Sequence, residues 1–119
     1  MKSVALLVCL FWLGACATKA TDNTTGACTA ATAVAANAVS IQGVAYVPNC
    51  FKVSSGDLVT FTNHDSFTHT VSSDIGQTQI FDSQDIASGT TYQQKFNSKG
   101  SVTGHCNYHS TMHFTAIVQ

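Results

Sequence analysis

From Val39 onward, apolar and polar positions alternate in short runs that are broken by turn residues. Val39 and Ile41, with Val44 and Tyr46, read as a first strand with an irregularity at Gly43, and Phe51 and Val53 follow Pro48-Asn49. Ser54-Ser55-Gly56-Asp57 marks a turn, after which Val59 and Phe61 alternate with Thr60 and Thr62. Thr68 to Ser72 reads as a further strand and Ile80-Phe81 as a short one; Thr90 to Phe96 is another, opened by Gly89. Asn97 to Gly100 is a turn, and Val102 to Cys106 and Phe114 to Val118 close the chain. A period of two turns one face of each run inward. Roughly seven or eight such strands with turn signals between them predict an all-β antiparallel sandwich or barrel.

The chain opens differently. Lys2 precedes an unbroken apolar run from Val4 to Leu13. It is too short to cross a bilayer, which takes about 20 residues, but it suits the core of a secretory signal. Leu13-Gly14-Ala15-Cys16 resembles a bacterial lipobox, in which Cys16 is acylated and becomes the first mature residue. An ordinary signal cut near Ala15 or Ala17 is the plainer alternative. The lipobox makes residues 1–15 a signal peptide and gives the protein a membrane anchor through the lipid on Cys16. Each buried CH₂ of such a chain is worth about 0.8 kcal/mol. Ala17 carries no acidic retention signal, so the resemblance implies an outer-membrane lipoprotein facing the periplasm. Disulfides persist in that compartment. Residues 16–38 are rich in Ala and Thr, with no aromatic and no large aliphatic residue beyond Val34, and bury too little to offset the entropy of ordering. They read as a tether, and 39–119 as the folded domain.

Composition narrows the partners. At 119 residues the chain holds one domain. Five Lys against six Asp leave a formal net charge of −1, and only 9% of residues are charged. Without clustered Lys or Arg there is no surface for nucleic acid. With 45% hydrophobic residues the chain is not disordered, and the reading is a small monomer.

The chemistry sits at the C-terminal end, in Gly104-His105-Cys106-Asn107-Tyr108-His109-Ser110-Thr111-Met112. A tight loop after a strand can turn Cys106, His109 and Met112 toward one point, and upstream His69 begins another strand. One thiolate, two imidazoles and a thioether form the ligand set of a blue-copper centre: His₂Cys with a weak axial Met. Taken singly, each has a plainer reading, since free Cys and Met are common core residues. His64, His105 and His113 read as surface residues, and His105 should point away from Cys106 on the alternating strand.

These segments together resemble the cupredoxin family, and small members such as amicyanin and plastocyanin most closely. The matching stretches run in order: Pro48 to Phe61, Asn63 to Val71, Phe81-Asp82-Ser83, Gly89 to Phe96 and Cys106 to Met112. The resemblance implies a Greek-key sandwich with one copper per chain, held by His69, Cys106, His109 and Met112. It also implies an apolar surface around the His109 edge where redox protein partners dock. Two departures stand out. The loop holds Asn107-Tyr108 and Ser110-Thr111 where amicyanin-like loops carry prolines, so a looser loop is expected. Phe114 replaces the family glycine two residues after the Met, which must alter the packing there.

Of five Cys, Cys9 leaves with the signal, Cys16 takes the lipid and Cys106 the metal. Cys28 and Cys50 remain, and two leftover thiols in an exported protein point to a disulfide, with pairing to other chains or two free thiols as the alternatives. The expected function is one-electron transfer through a type 1 copper, without catalysis. The same ligands would also serve a periplasmic protein that stores or delivers copper.

Overall fold

A computed structural model describes residues 26–119; the expected signal, Cys16 and the first part of the expected tether lie outside the described residues. Among the described residues nine strands form: β1 (Val34–Ala35), β2 (Ala38–Ile41), β3 (Tyr46–Val47), β4 (Cys50–Val53), β5 (Asp57–Asn63), β6 (Ser72–Ser73), β7 (Thr91–Phe96), β8 (Gly100–His105) and β9 (His113–Val118). They make two facing sheets, one in the order β1-β4-β9-β8-β6 and the other β3-β2-β5-β7. The all-β sandwich expected from the alternation is present.

Its sheets are mixed rather than antiparallel. β1 runs parallel to β4, β2 to β5, and β4 to β9, while β2-β3, β5-β7, β6-β8 and β8-β9 pair antiparallel. Short turns predict hairpins, but here the chain crosses from one sheet to the other between β3 and β4 and again between β4 and β5. Back in the sheet of β2 and β3, it lays β5 beside β2 in the same direction.

Alternation then builds the core. Val59, Phe61 and Asn63 of β5, Phe51 and Val53 of β4, Val102 of β8, and Phe114, Ala116 and Val118 of β9 are all buried. Phe114 stacks on Phe51 at 6.0 Å and on Phe81 at 6.5 Å, and Phe51 meets Phe61 and Phe96 edge-on. Directly across the ladder from Phe114 sits Gly104. A Cβ there would collide with the Phe114 ring and with the Ser72 carbonyl. The missing side chain of Gly104 is what makes room for the large residue at 114.

Three local expectations change. Val39 to Tyr46 is a hairpin, β2-β3, turning at Gly43 and Val44, which both adopt positive φ. That conformation is unusual for a β-branched residue. Thr68 to Ser72 forms no continuous strand. His69 exchanges N–H and C=O with Ile86, the Val71 N–H donates to Ser83 Oγ, and the Thr70 N–H donates to Cys106 Sγ. Its backbone groups are satisfied by an isolated bridge to Ile86, by side chains and by the site instead of one continuous ladder. Ile80-Phe81 likewise lies beside, not in, a ladder, with one bridge at Asp82.

The folded part also begins before residue 39. Ala33 is buried and β1 pairs with Phe51 and Lys52 at the edge of β4. Small side chains can lie close against that edge, so the last stretch of the expected tether is part of the sandwich. A Cys28–Cys50 disulfide pins it there, closing a sequence separation of 22, worth about 3 kcal/mol in the chain-entropy treatment.

Candidate metal centre

At the end of the sandwich where β5 and β8 stop and β9 begins, donor atoms of His69, Cys106 and His109 lie within 4.8 Å of one another. His69, from the laced segment after β5, is fully buried. Cys106 follows β8 directly and is buried too. Its Sγ lies 3.8 Å from His69 Nδ1 and 3.6 Å from His109 Nδ1. Typical first-row bond lengths are about 2.0 Å to nitrogen and about 2.3 Å to sulfur, which puts two donors in one trigonal plane about 3.7 Å apart. The donors therefore fit a single ion between them. Met112 is buried as well. The nitrogen–sulfur chemistry is that of copper.

The loop from Cys106 to Met112 closes on itself. The Cys106 N–H donates to the Met112 carbonyl (3.2 Å) and the Met112 N–H to the His109 carbonyl (3.0 Å). Its sides are tied down as well. The Asn107 N–H donates to Thr70 Oγ1 (2.8 Å), Asn107 Nδ2 to Ser72 Oγ (3.1 Å) and the Tyr108 hydroxyl to Asp85 Oδ1 (2.5 Å). Where prolines would restrict the backbone, hydrogen bonds to neighbouring segments hold it. The looseness expected from the missing prolines has this counterweight.

Behind the site, the buried Tyr46 hydroxyl donates to the Thr70 carbonyl (2.5 Å). Burial, and after it the negative charge of Cys106, push the Tyr46 phenol far above its ordinary pKa, so it stays a neutral donor. Thr70 is thereby fixed from both sides, since its N–H faces the Cys106 sulfur at 3.3 Å. In front, Phe67 is 45% exposed and lies 5.0 Å from the His69 ring and 5.5 Å from the His109 ring.

Two carboxylates hold histidines. Asp65 Oδ2 lies 2.8 Å from His69 Nε2. Burial works to raise the Asp65 carboxyl, but the Val44 and Gly43 N–H groups and His69 outweigh it and hold it below the usual carboxylate range. Asp74 Oδ1 lies 2.6 Å from His105 Nδ1, and its other oxygen accepts from Thr103. Its carboxyl is lowered in the same way, burial opposing and the Thr103 and His105 hydrogen bonds prevailing. His105 does face away from the Cys106 cluster, as the alternation implied, and it is half-buried; His64 and His113 are exposed. Asp65, Thr70, Tyr46 and Phe67 were given no role from sequence. Only Asp65 left a readable trace, four residues before His69 in a loop tight enough to bring the two together.

Residues 33–119 match the family described as copper binding proteins, plastocyanin/azurin family. Plastocyanin of Vicia faba is 32% identical over 85 residues, covering 56% of this chain and 78% of that protein. A reduced amicyanin variant superposes with a TM-score of 0.65 at 25% identity, over 73% of this chain and 85% of that one. A copper-containing nitrite reductase from Thermus scotoductus shares the fold at 21% identity and a TM-score of 0.62, but only over 22% of its own length. With that match across most of its length and a nitrogen–sulfur donor set of fitting dimensions, the chain belongs to the plastocyanin/azurin family of copper-binding proteins, a cupredoxin with one copper per chain.

Proposed function

We propose that this cupredoxin is a one-electron carrier whose copper is held by His69, Cys106, His109 and Met112. The observation that carries the reading is the convergence of two imidazoles and one thiol at the end of the sandwich, with His69 and Cys106 buried and His109 half-buried. When bound, copper supplies a one-electron couple between Cu(II) and Cu(I).

The protein's part is to keep the donors where both oxidation states can use them. Cys106 offers a thiolate whose sulfur accepts the Thr70 N–H, and its own N–H ties it to Met112. His69 offers Nδ1 from a ring that water does not reach. His109 offers Nδ1 from a half-buried ring, so its far edge is the natural route for an electron. Phe67, exposed and 5.5 Å from the His109 ring, and the exposed Tyr108, next to His109 in sequence, give a redox protein apolar surface to meet. Met112 adds a weaker thioether donor, buried under the loop. No substrate is transformed in this reading. The lipobox-like Leu13-Gly14-Ala15-Cys16 and the disulfide support export to a bacterial periplasm and attachment to the outer membrane through a lipid on Cys16.

The test is optical. Cu(II) added to the copper-free protein should give an intense blue thiolate-to-copper absorption that Cys106→Ser abolishes. A colour that survives the substitution overturns the ligand assignment. Reversible voltammetry with retained copper supports a carrier, whereas ready transfer of copper to an acceptor apoprotein with sluggish redox cycling marks a delivery protein.

A further inference from the structure

The ring of His69 is 0% exposed and is addressed from both sides. Nδ1 faces the Cys106 sulfur and Nε2 lies 2.8 Å from Asp65 Oδ2, whose side chain is 13% exposed. An ionised carboxylate can only accept, so Nε2 carries the proton and Nδ1 is left bare for a metal. Asp65 has no freedom to withdraw. The Gly43 N–H donates to its Oδ1 (2.7 Å) and the Val44 N–H to its Oδ2 (3.0 Å), while its own N–H is held by Asn63 Oδ1 (3.0 Å). Asn63 in turn donates to the Phe67 and Ile86 carbonyls, fixing both ends of the loop around the ring. Among the described residues no Lys lies within ion-pair distance of Asp65; beyond the two backbone N–H groups, its carboxylate meets the His69 ring.

We propose that Asp65 is a positioning residue for the copper centre: it fixes the His69 tautomer and, through the ring, favours Cu(II) over Cu(I), lowering the reduction potential. This rests on the reading of His69 as a ligand. A carboxylate on the far nitrogen of a ligating imidazole makes the ring a stronger donor, and loss of such a partner typically costs about 10–100-fold in metal affinity. Extra negative charge in a poorly screened place stabilises the more highly charged ion more. The affinity for Cu(II) therefore gains more than that for Cu(I), and the ratio of the two sets the potential.

The protein carries its own control. His105 has an equally close carboxylate, Asp74, but its other ring nitrogen is bonded to Asn107 Oδ1 at 3.1 Å and is not offered to the site. Asp65→Asn removes one negative charge while keeping an acceptor, and Asp74→Asn does the same at the control pair. In the loaded full chain, Asp65→Asn should weaken Cu(II) binding about 10–100-fold, weaken Cu(I) binding less, and raise the potential; Asp74→Asn should shift it much less. A folded Asp65→Asn protein with the parent's potential overturns the proposal and leaves Asp65 as a clamp on the Gly43-Val44 turn. Equal shifts from both variants overturn it too, since a nonspecific charge effect would explain them.

A second measurement needs neither variant nor metal. Nitrogen NMR of the copper-free parent should show His69 protonated at Nε2 and bare at Nδ1, and the opposite tautomer overturns the proposal even if Asp65→Asn does not fold. Failure of the ligand reading is distinguishable: Cu(I) would then leave the His69 Nδ1 resonance unshifted while the Nε2–H tautomer persisted.

Discussion

In the body of the sandwich, Phe51, Phe61, Phe96 and Phe114 meet ring against ring between two continuous ladders. At the copper end the ladders stop, and the chain is held by side chains that bond to backbone: Thr70 to Asn107, Tyr46 to Thr70, Asp65 to Gly43 and Val44. Apolar burial contributes most of the stability but has no direction. Hydrogen bonds contribute about 1 kcal/mol each, yet they fix where an atom points. A redox centre needs the second kind, because its donors must stay in place when the charge on the ion changes. The body supplies the free energy that lets the end be irregular.

Removing a ring from the body is the harshest way to break that division. Phe114→Ala should cost about 3–5 kcal/mol in denaturant unfolding of the copper-free protein, from lost burial plus the cavity left behind. Gly104→Ala should cost about 1–3 kcal/mol through overpacking. The two together should cost less than their sum, because the Phe114 ring is one of the atoms that the new methyl meets. In whatever fraction folds and binds Cu(II), the thiolate absorption should stay where it is. If Phe114→Ala moves it as far as changes around the ligands do, the two regions are not separable.

The sequence was more legible in the body than at the end, for physical reasons. Alternation is a statement about burial, so β4, β5, β7, β8 and β9 could be read from it within a residue or two at most ends. Thr68 to Ser72 alternates like one strand, but only Ser72 enters a ladder; His69 bridges Ile86 and the Thr70 N–H turns to the Cys106 sulfur, partners on distant segments that the alternation does not show. The donors were legible because Cys, His and Met at that spacing are rare, and three of them converge. Their supports were not. Asp65, Thr70 and Tyr46 are ordinary residues whose roles exist only once separate segments meet. Phe114 shows the reverse case: it looked like a disturbance until its ladder partner proved to be a glycine already present in the sequence.

Tyr46 straddles the boundary and sharpens the comparison. Its ring packs edge-on against Phe61 at 6.1 Å and Phe114 at 5.2 Å, while its hydroxyl serves the Thr70 carbonyl. Tyr46→Phe keeps the ring and strands that buried acceptor, a loss of about 1–3 kcal/mol. Since Thr70 also donates to the Cys106 sulfur, the thiolate absorption should shift slightly, unlike in Phe114→Ala. A loss of stability with no spectral change would place Tyr46 wholly in the body.

The smallest effect is expected at Tyr108. It lies between two of the candidate ligands in sequence, is 57% exposed, and its hydroxyl hydrogen-bonds Asp85 across the surface. The same bond is the first cause of a Tyr108 phenol pKa held above the ordinary value, with the Asp85 charge second. Tyr108→Phe removes that bond and leaves the links from Asn107 to Thr70 and Ser72, and from Cys106 to Met112, intact. Exposed substitutions of this kind change stability little. The unfolding midpoint and the absorption should therefore match the parent, while amide exchange at Tyr108 and His109 quickens. A large loss of copper affinity would mean that the loop is held from the solvent side by one tyrosine, and that the part-buried bonds to Thr70 and Ser72 do not stand in for the missing prolines.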